Sequence, residues 1–165
     1  MAEETVRLRP PRNQFDPRTV AWWRVNCALL FAVPALILVI NGVLLSAART
    51  WLVWPAVGLV VIGIPVTLLM PLWWYRVHRW EITDTAVYVR TGFFWQEWRV
   101  APMSRIQTVD TTRGPLQQLF KLASVTVTTA SSKGAVKIEG LDHELAAQVA
   151  EQLTETTQAT PGDAT

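Results

Sequence analysis

The sequence predicts an α+β protein: a transmembrane helical hairpin, then a small antiparallel sheet domain closed by a C-terminal helix. Three observations lead there. Residues 25–45 and 52–72 are two 21-residue stretches without a charged side chain. From Tyr75 onward the apolar period changes from none to two. In "LDHELAAQVAEQLTE" it changes again, to a helical spacing.

The two apolar stretches come first. A helix needs about twenty apolar residues to cross a bilayer core, and six residues, 46–51, separate these two. Core helices of a soluble bundle would carry a polar stripe, and these are apolar all round. A signal peptide would have a shorter apolar region, about 7–15 residues, with a small-residue cleavage site behind it. The first stretch therefore reads as an uncleaved anchor. Five arginines (Arg7, Arg9, Arg12, Arg18, Arg24) precede it, Arg76 and Arg79 follow the second, and the connecting loop has only Arg49. The positive-inside rule predicts a multi-pass cell-membrane protein with both termini cytoplasmic. Trp22 and Trp23, Trp51, and Trp73 and Trp74 stand at the span ends as interfacial anchors. Pro34, Pro55 and Pro65 fall inside the spans, where neighbouring helices can re-satisfy freed carbonyls. Asn41 is placed to bond across the hairpin. No Asp, Glu, Lys, Arg or His lies within either stretch, which argues against a proton relay or ion pathway.

The sheet domain follows with no linker. "YRVHRWEIT" alternates and meets a turn at Asp84-Thr85, "AVYVRTG" turns at Thr91-Gly92, and "FFWQEWRVAP" ends at Pro102. "SRIQTVDTT" reads as a fourth strand. In "GPLQQLF", Pro115 suits the first helical position and Leu116, Leu119 and Phe120 fall at i, i+3, i+4. "SVTVTTA", "SSKG" and "AVKIEG" form the clearest hairpin, with Val125, Val127, Val136 and Ile138 inward. Asp142 caps the last helix, whose stripe is Leu141, Leu145, Val149 and Leu153. The organisation is thus 1–24 a cytoplasmic segment, 25–72 the hairpin, 73–155 the sheet domain and 156–165 a disordered tail.

Three sets of residues resemble one family. They are "YRVHRWEIT" behind the second span, "VRTGFFWQEWRVAPMSRIQTVDTTRGPLQQLFKLASVTVTT", and the closing "VKIEGLDHELAAQVAEQL". The order is similar to the bacterial pleckstrin-homology (PH) domain of membrane-anchored proteins, in which two spans precede one such domain. The run from Pro102 through Arg105-Ile106-Gln107 to Gly114-Pro115-Leu116 and Leu122-Ala123-Ser124-Val125 carries it most specifically. The resemblance implies a PH-like, strongly curved antiparallel sheet closed by a C-terminal helix; it does not imply an enzymatic activity, and it transfers no binding residue. The family usually has Gly between the Phe and Leu of the insert. This chain has Lys121, so the helix end must form without glycine's left-handed freedom. The eukaryotic lipid site needs Lys and Arg around the first strand–strand loop, which here is short and acidic, Asp84-Thr85.

The chemistry-bearing residues point away from catalysis. Half the chain is hydrophobic and 17% is charged. The single Cys27 excludes an internal disulfide and a Cys-cluster metal site, and it reads as packing in the first span. The chain has no HExxH, GxSxG or Walker loop. His78 at the membrane exit and His143 in the last helix are 65 residues apart and read as snorkelling and solvated side chains. Asp142 and Glu144 suit the dipole of the last helix. No catalytic residue, cofactor or metal is expected. Residues 75–137 hold nine Lys/Arg against four Asp/Glu, whereas 138–165 hold six acids and no base. That excess is too small for nucleic acid. Arg99, Arg105, Arg113, Lys121 and Lys133 read as a solvated face. Arg76 and Arg79 are the candidate anionic-lipid contacts, although anchoring explains them equally well.

The expected function is a non-catalytic scaffold or interaction module, with the sheet domain held against the inner leaflet to bind a protein partner or a second copy. Sheet edges are its natural docking surfaces. The alternative is a lipid-sensing module using the juxtamembrane basic residues.

Overall fold

The computed structural model describes residues 11–92, 95–130 and 134–159. Arg7, Arg9, Phe93, Phe94, Lys133 and the chain beyond 159 lie outside the described residues, so the expectations placed on them are not addressed. The chain divides into two compact units, residues 17–75 and residues 1–16 with 76–165.

The first unit is the helical hairpin. Helix α1 spans Arg18–Leu44 and α2 spans Arg49–Val77, joined by a 3-10 turn at Ser46–Ala48. Both are long and apolar enough to cross a membrane. Only 17% and 11% of their most apolar windows are buried within the chain, whereas a soluble core helix would be mostly buried. Pro34 and Pro55, Pro65 and Pro71 all lie inside continuous helix. The helices pack closely at Gly63, where a Cβ would lie 2.7 Å from the Phe31 Cβ. Asn41 does not bond across the hairpin. Its amide donates to the Ile37 carbonyl one turn back, at 2.8 Å. Arg49, the loop's one cation, donates Nε to the Gly42 carbonyl at 3.4 Å, at the C-terminal end of α1 where positive charge offsets the helix dipole.

The second unit holds two three-stranded sheets, in strand orders β1-β2-β3 and β4-β5-β6, with every paired neighbour antiparallel. The strands are β1 Arg79–Ile82, β2 Ala86–Thr91, β3 Glu97–Pro102, β4 Ile106–Thr112, β5 Leu122–Thr129 and β6 Val136–Asp142. The first strand is shorter than "YRVHRWEIT" suggests. Helix α2 continues through Tyr75, Arg76 and Val77, so only His78 separates span from strand. Three alternating residues beside an aromatic run do not distinguish a strand from one more helical turn. The β2–β3 turn requires Gly92, whose φ is +121° and where a Cβ would stand 1.9 Å from the Trp95 carbonyl oxygen.

Period-two burial builds the core. Val87, Val125, Val127, Ile138 and Leu122 are fully buried, and Val89 and Val136 nearly so. Helix α4, His143–Ala159, packs on β4, β5 and β6. Asp142 starts it as expected, with Oδ1 accepting the Glu144 amide at 2.9 Å. The buried stripe is Ala146, Val149 and Leu153, not Leu145, which is 39% exposed. A strict spacing of four rotates about 40° per step around a 3.6-residue helix, and that takes Leu145 to the edge of the stripe. Leu141 is buried too, but from β6. The helix also runs four residues past 155, to Ala159. Thr154 and Thr156 bond their hydroxyls to the carbonyls of Ala150 and Gln152, at 2.7 and 2.8 Å, which keeps polar side chains compatible with helix there.

Short helix α3, Pro115–Leu119, inverts the expected pattern. Gln117 is the buried residue and Leu119 is 75% exposed. The Gln117 oxygen accepts the Gly114 amide at 3.0 Å, and its nitrogen donates to the buried Ser124 hydroxyl at 2.7 Å. One glutamine thereby satisfies the start of α3 and a hydroxyl in β5. Lys121 closes the helix with φ +55°, the left-handed conformation the family's glycine would take without strain. Its carbonyl accepts the His143 amide at 3.2 Å.

The segment before the hairpin also belongs to this unit. Asn13 and Trp80 exchange backbone hydrogen bonds of 3.0 and 3.1 Å, which adds a bridge to the outer edge of β1. The Asp16 amide donates to the Gly140 carbonyl of β6 at 3.3 Å. Phe15 is 3% exposed and meets the His78 ring edge-on, with centroids 6.1 Å apart. The sequence reading of 1–24 as a plain cytoplasmic segment omits this packing, because one Phe among polar residues has no periodicity to detect.

Two substitutions test this packing in the full chain, by thermal unfolding followed by near-ultraviolet circular dichroism in detergent. Leu153→Ala should destabilise the sheet domain by about 2–5 kcal/mol, whereas Leu145→Ala should cost less than about 1 kcal/mol. Equal effects would mean the helix is rotated from the position described. Lys121→Gly should stabilise by about 0.5–1 kcal/mol, since relief of left-handed strain exceeds the added chain entropy. A lower melting temperature for that variant would contradict the strain argument.

Candidate functional site

The second unit contains an open cleft of about 510 Å³ lined by Arg12, Asn13, Gln14, Arg79, Trp80 and Leu145. Alternation along β1 places Trp80 in the core, 6% exposed, and leaves Arg79 half-exposed on the other face. The Trp80 indole is fixed by donating Nε1 to the Gln14 carbonyl at 3.2 Å. The Gln14 amide, oriented by its hydrogen bonding, turns its oxygen to Arg79 and accepts from both Nη atoms at 2.7 and 2.6 Å. Across the ladder Arg79 stands directly opposite Arg90. Arg90 is engaged elsewhere: Nε donates to the Val77 carbonyl at 2.9 Å, and the guanidinium lies 5.6 Å from the Trp98 ring centroid.

Arg76 and Arg79, paired in the sequence reading, have different surroundings. Arg76 is exposed in the last turn of α2 and does not line the cleft. Arg79 does, with Arg12 as its companion. Sequence reasoning counted Arg12 only as a topogenic charge. No sequence signal joined it to Arg79, because the segment that carries it has no apolar period.

The tryptophans divide as well. Trp23 is 7% exposed and meets Trp74 edge-on, with centroids 5.6 Å apart, while Trp22 tilts against Trp23 at 6.4 Å. These three pack within the hairpin unit. Trp51 is 83% exposed and Trp73 is exposed, so those two have the outward faces an interfacial anchor needs. Cys27 is buried. Among the described residues no three of His, Cys, Asp and Glu are grouped to hold a metal ion.

Of the cations expected on a solvated face, Arg105, Arg113 and Lys121 are exposed, and Arg99 and Arg113 also donate to backbone carbonyls. Arg99 pairs with Glu97 at 2.9 Å and also donates to the Ala135 carbonyl at 2.9 Å, linking β3 to the start of β6 across the gap between the sheets. Arg113 donates Nε to the Leu122 carbonyl at 3.3 Å, bracing the α3 insert.

Comparison with known proteins agrees with this architecture. Residues 28–157 match the family model described as bacterial PH domain. The UPF0699 transmembrane protein YdbS of Bacillus subtilis (strain 168) is 30% identical over 157 residues, covering 93% of this chain and 97% of that protein. No solved structure matches. Two long apolar helices, the PH-like sheets closed by α4, and similarity to a transmembrane protein along nearly the whole length have one reading: the chain is a membrane protein of the bacterial PH domain family.

Proposed function

We propose that the protein is a non-catalytic scaffold whose hairpin anchors a PH-like domain at the cytoplasmic face of the cell membrane, where the domain docks a protein partner or a second copy of itself. The observation that carries this is the inversion in α3. An exposed leucine alone means little, but a buried glutamine beside a leucine 75% exposed goes against burial at two positions in five residues. The domain core gains nothing from Leu119 in that place, and a partner's apolar surface would. The outer edge of β4 has no strand neighbour among the described residues and offers an edge for a partner's strand.

The orientation rests on charge. The chain leaves the sheet unit after Asp16 and returns to it at Arg76, so one unit holds both ends of the hairpin. Five arginines before the charge-free stretch 25–45 and two close behind the stretch 52–72, against Arg49 alone between the stretches, favour the cytoplasm for that side.

The test is photo-crosslinking from position 119 in native membranes, followed by mass spectrometry. A discrete adduct with a partner or a second copy is expected. Leu119→Asp, probed with a chemical crosslinker, should abolish that species while changing the melting temperature by less than about 3 °C, since a surface substitution costs within about 0.5 kcal/mol. Adducts with lipid alone, or an unchanged crosslinking pattern in Leu119→Asp, would refute docking through α3.

A further inference from the structure

We propose that the cleft of Arg12, Asn13, Gln14, Arg79, Trp80 and Leu145 is a binding site for a phosphate group, carried by a membrane phospholipid head group or by a free phosphate compound.

The charge balance is the first reason. Among the described residues two guanidinium groups line the cleft and no carboxylate does. Among the described residues Arg12 has no hydrogen-bond or ion-pair partner, and Arg79 is held by an uncharged amide. The residue facing Arg79 across the ladder is a third cation, Arg90. Like charges directly opposite in a sheet are unfavourable, and an anion in the cleft would offset that repulsion.

The second reason is the chemistry of the donors. Guanidinium is a planar fork that matches phosphate oxygens two at a time. The side-chain amide of Asn13 adds a neutral donor, and an oxygen-rich tetrahedral group can accept from it and from both guanidinium groups at once. Nucleic acid would need a longer basic track than one cleft of about 510 Å³.

The third reason is the wall. Leu145 is left half-exposed beside the Trp80 indole, an apolar surface next to two cations. That combination suits an amphiphile whose phosphate is joined to a glycerol and acyl chains. Arg79 also stands two residues beyond the end of α2, within about 7 Å of chain from the span. The site is preformed, since the Asn13–Trp80 bridge and the Trp80–Gln14 bond fix its walls.

Native mass spectrometry of the full chain in neutral detergent tests this, with phosphatidylglycerol, diacylglycerol and inorganic phosphate as probes. Phosphatidylglycerol should be retained about tenfold more tightly than diacylglycerol, and Arg12→Gln and Arg79→Gln should each reduce its retention about tenfold. Arg76→Gln should change it by less than about twofold, because Arg76 lies outside the cleft. Arg12→Lys, which keeps charge but loses the fork, should fall between wild type and Arg12→Gln, so that lost binding is not confused with lost folding. If millimolar inorganic phosphate displaces the lipid, the site accepts the free group. If it does not, the site is specific for the head group in its lipid. Wild-type retention in Arg12→Gln, equal loss in Arg76→Gln, or equal retention of diacylglycerol would each overturn the assignment.

Discussion

The second unit depends on a short piece of chain that comes before the hairpin. Asn13 bridges to Trp80 on the first sheet, Asp16 bonds to Gly140 on the second, and Phe15 is buried between these two ties. No continuous strand ladder joins the two sheets among the described residues, so links of this kind hold them together, with Arg99 on the Ala135 carbonyl at the other side. The domain is small, and a few kilocalories are a large share of the 5–15 kcal/mol or so that such domains have. The same ties make the two halves of the sequence one unit: the chain passes out into the hairpin and returns to the sheets it has already joined.

Two surface features follow from that arrangement. Fixing residues 12–14 against β1 brings a second arginine to Arg79 and forms a cleft that β1 alone would not have. Anchoring α3 through Gln117 leaves its leucine outside. In α3 the side chain that satisfies the fold, Gln117, differs from the one the surface displays, Leu119.

Much of the architecture was legible in the sequence, and the reason is period. Twenty-odd apolar residues have few alternatives to a membrane helix. Strict alternation at Val125, Val127, Val136 and Ile138 has few alternatives to a hairpin. What escaped was aperiodic or decided by three-dimensional competition. Phe15 has no repeating neighbours. Leu145 looked like part of a stripe because a spacing of four and one of 3.6 diverge only after two turns. The α3 leucines have helical spacing, but the glutamine between them makes two hydrogen bonds that no pattern rule counts. Lys121 was the reverse case: the missing glycine flagged the site, and the lysine adopts glycine's conformation because the surrounding bonds require it. Of the two arginines that line the cleft, Arg79 was singled out in the sequence from its place after the span. Its companion Arg12 was not, since 67 residues of sequence separate them.

Hydrogen–deuterium exchange on the full-length protein in nanodiscs tests the stapling of the segment before the hairpin most directly. If residues 11–16 are part of the sheet domain, the amides of Asn13 and Asp16 should exchange as slowly as those of β5, and should lose protection together with the sheet as denaturant is added. Exchange of those two amides at the rate of an unstructured peptide, with β5 still protected, would show that the segment is a free arm and would contradict the account.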